Sequence, residues 1–165
     1  MRWVPAYVAL GSNLGGPDRQ VDDAFARLAQ LPDSRLVARS RLYRARPMGP
    51  QEQPDFVNAA AGLLTRLSAL ELLAHLQRIE RAMGREMPER RWGARLIDLD
   101  LLIYSTMATG KDEPVNGLVL PHPGIHERNF VLYPLADIAP ELHIPGRGQV
   151  AELARRVGSE GLRLL

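Results

Sequence analysis

Apolar residues recur along this chain with two different periods, and the switches between them predict six elements in its first two thirds. Trp3 to Leu10 is a short apolar run that stops at Gly11-Ser12-Asn13; it reads as a first strand and not as a signal peptide. Gly15-Gly16-Pro17-Asp18 then turns into a helix with proline in its first turn, and Val21, Ala24, Phe25, Leu28 and Leu31 keep helical spacing until Pro32. Two strand-like runs follow, Arg35 to Ala45 and Phe56 to Thr65. The loop between them, Arg46 to Asp55, holds three prolines and a glycine. It is too long for a tight hairpin and is a candidate binding loop. Ser68 and Glu71 form a capping-box signature for a second helix, whose buried stripe is Leu72, Leu76, Ile79 and Met83, with Gly84 where a C-cap belongs. Ile97 to Tyr104 is the sixth element, a strand.

The order strand, helix, strand, strand, helix, strand is that of an α+β, ferredoxin-like (βαββαβ) antiparallel sheet with helices on one face. Ser105 to Gly117 is turn-rich and reads as an exposed connection, and Pro121 to Gly124 begins another loop. Arg128 to Ile138 is a short helix interrupted by Pro134, and Gln149 to Val157 is a last amphipathic turn or two. These are C-terminal additions to the sheet. No repeat or linker divides residues 1–165, so a single domain is expected.

Composition narrows the class without choosing a function. Of 165 residues, 45% are hydrophobic and 24% charged, which is ordinary for a soluble globular protein. A net charge of +2 is too small to imply nucleic acid or a membrane surface. There is no cysteine, which excludes a disulfide framework, a thiolate metal site and a cysteine nucleophile, and fits a cytoplasmic enzyme. No run approaches the roughly 18 apolar residues of a membrane span.

The chemistry concentrates in Arg91-Trp92-Gly93-Ala94-Arg95-Leu96-Ile97-Asp98-Leu99-Asp100. On a strand, Asp98 and Asp100 share a face about 7 Å apart along the backbone, while Leu99, Leu101 and Ile103 point toward a core. Two carboxylates just after arginines suit a divalent metal with polyphosphate, since the metal needs hard oxygen ligands and the arginines take the remaining phosphate charge. Glu80 flanks the buried stripe of the second helix, one turn after Gln77, and can support such a strand as an acceptor. The loop Gly84 to Trp92 mixes charges with an aromatic, and its arginine forks suit a nucleotide's phosphates. Phe56 and Asn58 share a strand face, where an aromatic and an amide can stack on and read a flat heterocycle, with room left by Ala59-Ala60-Ala61. His122 and His126 have metal-like spacing, but Pro123 and Gly124 forbid the helix that would align them. Gly11 to Gly16 lacks both a dinucleotide fingerprint and a Walker lysine. Residues alone leave open a metal-dependent phosphohydrolase, and a ferredoxin-like ligand- or RNA-binding module; two aspartates on the candidate face weigh against RNA, whose phosphates they would repel without metal.

Taken in order, several segments resemble the 6-hydroxymethyl-7,8-dihydropterin pyrophosphokinase family almost end to end. They are Leu10-Gly11-Ser12-Asn13-Leu14, Gly49-Pro50-Gln51-x-Gln53-Pro54-Asp55-Phe56-x-Asn58-Ala59, Gln77-Arg78-Ile79-Glu80, Gly84-Arg85, Arg91 to Asp100, Pro121-His122-Pro123, and Arg128-x-Phe130-Val131-Leu132-x-Pro134-Leu135. The resemblance implies transfer of pyrophosphate from ATP to a pterin alcohol, with release of AMP, in folate biosynthesis. It implies that Asp98 and Asp100 bind two Mg2+ ions and that Arg85 and Arg95 join them in catalysis. Phe56 and Phe130 would sandwich the pterin, with Met48, Asn58 and Asp98 completing its site. Gln77, Glu80, Arg85, Arg91, Trp92, Arg95, Leu101, His122 and Arg128 would hold the nucleotide. Met87, Pro88, Ala94 and Leu96 depart from residues common in the family, and near Gly117 a nucleotide-contacting arginine found in some members is missing. A monomer acting on small molecules is expected.

Overall fold

The computed structural model describes residues 2–46, 54–85, 96–109 and 117–165. Twelve elements follow one another among them: β1 (Val4–Ser12), α1 (Pro17–Leu28), β2 (Ser34–Arg39), β3 (Tyr43–Ala45), β4 (Phe56–Thr65), α2 (Ala69–Arg85), β5 (Asp98–Tyr104), α3 (Asn129–Ile138), β6 (His143–Ile144), β7 (Gly148–Gln149), α4 (Val150–Val157) and β8 (Leu162–Leu164). The main sheet has the order β5-β1-β4-β3-β8, with β2 also paired to β4, and all its pairings are antiparallel.

Local signals explain most of these boundaries. Pro17 opens α1 behind Gly16, whose φ of 72° is a left-handed conformation that glycine adopts without strain. The capping box of α2 forms reciprocally: Ser68 N–H donates to Glu71 Oε1 at 2.9 Å, and Glu71 N–H to Ser68 Oγ at 3.1 Å. Hydrogen bonding by the Ser68 backbone N–H first, and then by its side chain, holds the Glu71 carboxyl below its ordinary value. Gly84 does not cap the helix, which continues through Arg85.

Three expectations change. The run Arg35 to Ala45 is two strands: at Ser40 the backbone N–H still donates to the Ala60 carbonyl at 2.9 Å, but the Ala60 N–H goes to the Ser40 hydroxyl at 2.8 Å, where a ladder would use a carbonyl. The sheet is also covered on both faces. Val21, Phe25, Leu72, Leu76 and Met83 of α1 and α2 close one core over Val8, Leu10, Val57 and Leu63. Val131, Leu132 and Leu135 of α3, with Val150, Leu153 and Ala154 of α4, close a second core over Ala60, Leu102 and Ile103. Small residues let α3 come close, and a Cβ on Gly62 would meet Ala38 Cβ at 3.3 Å, Tyr7 Cε1 at 3.5 Å and Ile138 Cδ1 at 3.7 Å. Finally, Ile103 does not follow Leu99 and Leu101 into the first core. Tyr7 pairs with Ile103 but Val8 with Leu101, so Leu102 is an extra residue, a bulge that turns Ile103 to the second core.

At the far end of α3, Asp137 Oδ1 accepts from the Tyr43 hydroxyl and from Arg41 Nη2, both at 2.8 Å. This ties the helix to the β2–β3 break. No helix among the described residues is long and apolar enough to cross a membrane.

Candidate active site

A cleft of about 400 Å3 opens at the end of the sheet where β4, β1 and β5 stop beneath the start of α3. Its two walls come from different elements. Phe56 and Asn58 lie on β4 and Phe130 in the first turn of α3; Asp98 and Asp100 lie on β5, with His122 and Arg128 beside them. Leu102 also lines it, on the face that alternation gives Asp98 and Asp100. Ala9 and Ala45 line the cleft, while Ala59 and Ala61 sit in the first core and Ala60 in the second, so the room beside Asn58 does not come from Ala59-Ala60-Ala61.

Asn58 is 8% exposed, and its Oδ1 is buried without a hydrogen-bond partner among the described residues. A buried carbonyl left unpaired costs about 1–3 kcal/mol, so this oxygen favours a ligand that brings a donor. The aromatic faces of Phe56 and Phe130 suit a flat ring in the same cleft.

The opposite wall is built for charge. Asp98 is half-buried and Asp100 exposed on the same face of β5. Between them the Leu99 N–H turns to the outer edge of the strand and donates to Glu80 Oε2 at 2.8 Å, so α2 steadies the carboxylate strand through its backbone. His122 is fixed by its own N–H, which donates to the Leu102 carbonyl at 2.9 Å. Its Nδ1 accepts the Gly124 N–H at 3.2 Å, leaving the ring proton on Nε2. Burial pushes the His122 pKa down; Asp100 opposes the shift and Arg128 adds to it. Arg128 lies against the Gly124 backbone: a Cβ there would stand 2.7 Å from Arg128 Nε.

Among the described residues no group of three or more His, Cys, Asp or Glu side chains forms a metal cage. Two carboxylates nevertheless fit Mg2+, which keeps waters and is held by one or two carboxylates together with substrate phosphates.

The other expected site residues are more scattered. Gln77 is exposed on α2 and does not line the cleft. The side chain of Leu101 is in the first core, on the face away from Asp98 and Asp100. Arg85 ends α2, and its side chain lies outside the described residues, as do Met48, Arg91, Trp92 and Arg95. Arg46 and Gly11 also line the cleft. Arg46 has no local signature, since it merely follows a strand end; Gly11 stands in the Leu10 to Leu14 segment, which carries the family resemblance without assigning it a role, and it matters through its neighbours across the sheet.

Residues 7–140 match the family model described as 7,8-dihydro-6-hydroxymethylpterin-pyrophosphokinase (HPPK). The chain is 43% identical over 153 residues to the 2-amino-4-hydroxy-6-hydroxymethyldihydropteridine pyrophosphokinase of Haemophilus influenzae, covering 93% of this chain and 92% of that protein. It is 45% identical over 159 residues to the Pseudomonas aeruginosa protein of the same name, covering 96% and 95%. Among solved structures, an HPPK-DHPS in complex with substrates superposes with a TM-score of 0.75 at 12% identity, over 100% of this chain and 47% of that one. That likeness concerns the fold alone, and the chain spans about half the length of the two-part protein. The chain belongs to the 7,8-dihydro-6-hydroxymethylpterin-pyrophosphokinase family.

Proposed function

We propose that this protein transfers the pyrophosphoryl group of ATP to the hydroxymethyl group of 6-hydroxymethyl-7,8-dihydropterin, releasing AMP, in folate biosynthesis. The observation that carries this reading is the orphaned Asn58 Oδ1, buried in a cleft with Phe56 and Phe130 and facing two aspartates across it. A pterin is a flat ring with N–H donors on one edge. Seated between the two phenylalanines, it satisfies the Asn58 oxygen and turns its hydroxymethyl arm toward Asp98 and Asp100.

In this reading Met48 completes the pterin site, and Asp98 and Asp100 hold two magnesium ions. When bound, these ions supply charge neutralisation on the polyphosphate and orient it. Arg85, Arg91, Arg95 and Arg128 take phosphate charge. Gln77, Trp92 and His122 contribute to the nucleotide site, Leu101 through its backbone alone since its side chain is in the first core, and Glu80 supports it through the Leu99 N–H. His122, with its proton on Nε2, offers a neutral donor to a phosphate or ribose oxygen. The pterin oxygen bonds to the β-phosphorus while the bond from that phosphorus to the α,β-bridging oxygen breaks. AMP leaves with the bridging oxygen, and the hydroxyl proton is released, with Asp100 the candidate acceptor. Such a transfer needs positioning and charge stabilisation more than covalent participation by the protein. The same reading takes the sheet order as ferredoxin-like, and the protein as a single-domain, cytoplasmic monomer acting on small molecules.

The test is incubation with Mg2+, ATP and the pterin, followed by separation of the nucleotides. AMP forms only when pterin is present and is lost in Asp98→Ala and Asp100→Ala. ADP, or ATP cleavage without pterin, replaces this reading with a phosphohydrolase; tight pterin binding without turnover replaces it with a binding module.

A further inference from the structure

β1 lies between the two walls of the cleft, and its last residues touch both. Gly11 pairs with Asn58 on one side and with Asp98 on the other. A Cβ on Gly11 would stand 2.9 Å from Asn58 Nδ2, closer than side chains tolerate, so the Asn58 amide occupies space that only glycine leaves. The next residue, Ser12, is 1% exposed. Its hydroxyl donates to the Leu96 carbonyl, far away in sequence, and lies 3.3 Å from the Leu14 carbonyl. Asn13 Nδ2 donates to the Pro54 carbonyl at 3.3 Å. Leu96 and Pro54 stand in corresponding places: each precedes a wall of the cleft by two residues, Leu96 before Asp98 and Pro54 before Phe56.

We propose that Gly11 and Ser12 are positioning residues with separable duties, Gly11 setting where the Asn58 amide meets the heterocycle and Ser12 holding the start of β5 so that Asp98 meets the cation-bound polyphosphate. Neither touches reacting atoms; each acts through its neighbour. Ser12 is the more informative of the two. A buried hydroxyl at the end of a central strand needs only a local partner, yet it reaches to the strand that carries the carboxylates. Anchoring Asp98 from the middle of the sheet, while Glu80 holds Leu99 from the outer edge, fixes the same strand from both sides. The spacing between acceptor hydroxyl and polyphosphate is then set by three consecutive residues of β1 and its turn.

The inference rests on the pyrophosphoryl-transfer reading, so wild-type AMP formation is measured first; its absence overturns that reading and not this one. Ser12→Ala, Ser12→Cys and Gly11→Ala are then compared. Mn2+ binding is followed by electron paramagnetic resonance in the presence of α,β-methylene ATP, and pterin binding by calorimetry. In Ser12→Ala the Mn2+ dissociation constant rises about tenfold and kcat falls by a similar factor, the usual cost of removing a group that orients a metal ligand. Its pterin affinity stays within about twofold. Ser12→Cys, which keeps a weak donor, falls between the two. Gly11→Ala gives the opposite pattern, with pterin affinity down about tenfold, as for one displaced buried hydrogen bond, and Mn2+ binding unchanged. If Ser12→Ala does not fold, Ser12→Cys carries the comparison against Gly11→Ala. Equal losses of both ligands in both variants, or lowered thermal stability with unchanged binding, overturn the proposal.

Discussion

The two walls of the cleft are made by different physics. The β4 and α3 wall is packing: Asn58 is buried, Phe56 and Phe130 are part of the apolar boundary, and α3 is held by the second core and by Asp137. The β5 wall is charge: Asp100 is exposed, Asp98 half-buried, and His122 and Arg128 complete it. In the first wall packing fixes Asn58 by burial and Phe130 by its contact with the second core. The second presents like charges side by side, and in the proposed reading a cation and a polyphosphate complete it. A flat ligand should therefore find its half of the site ready, whereas the nucleotide half depends on metal and salt.

The largest expected effect breaks the charged wall alone. Asp98→Ala or Asp100→Ala lowers kcat by at least ~10³-fold, the several kcal/mol that charge neutralisation contributes to such a transfer. Pterin binding measured calorimetrically without nucleotide changes far less in Asp100→Ala. A parallel loss of both would mean that the walls are not separable.

Asn58→Ala tests the packed wall. Removing the acceptor weakens pterin binding by ~10–100-fold, corresponding to about 1–3 kcal/mol for a buried hydrogen bond, and leaves binding of an ATP analogue unchanged. Unaltered pterin affinity would show that the orphaned oxygen has another purpose.

A smaller effect comes from the brace under α3. Asp137→Asn weakens the hydrogen bonds to Arg41 and Tyr43 and lowers stability, read as a lower midpoint of denaturant unfolding; the exposure of Arg41 keeps the effect small. Burial pushes the Asp137 carboxyl up, but the hydrogen bonds from Arg41 and Tyr43 outweigh it and hold the group below its ordinary value. A depressed carboxylate stabilises the fold above its unfolded pKa and loses that contribution as pH falls through the folded value. The stability gap between wild type and Asp137→Asn therefore narrows below about pH 4. The Tyr43 hydroxyl, pushed up to about 12 first by burial and then by Asp137, stays protonated throughout.

The smallest effect is a shift of one midpoint. In the metal-free protein His122 titrates below the usual ~6.5, and NMR of the imidazole should show it moving further down in Asp100→Asn and up in Arg128→Met. Movement in the reverse order would contradict the placement of those charges around the ring.

How much of this was legible in the sequence depended on whether the signal was local. The capping box at Ser68 and Glu71, the strand Phe56 to Thr65 and the carboxylate pair at Asp98 and Asp100 follow from short-range rules, and they form as read. The bulge at Leu102 did not, because it arises from how β1 registers against β5, which no single strand encodes. The second core was hidden for a related reason. Ala9, Ala60 and Gly62 are too small to announce a buried face, and Pro134 inside α3 masks the periodicity of the helix that covers them. The site shows the same division. Asp98, Asn58, Phe56 and Glu80 carry their chemistry in their own side chains. Gly11 and Ser12 stand in the Leu10 to Leu14 segment of the resemblance, but they act through partners that pair with them across the sheet or lie 84 residues away, so their role is visible only in three dimensions.

The most direct test of pyrophosphoryl transfer follows the β-phosphorus. With ATP labelled at that position, magnesium and 6-hydroxymethyl-7,8-dihydropterin, the label should move to the pterin with the γ-phosphate still attached, and the released AMP should be unlabelled. Label recovered in ADP, or in free pyrophosphate from the first turnover, would contradict attack by the pterin hydroxyl on the β-phosphorus.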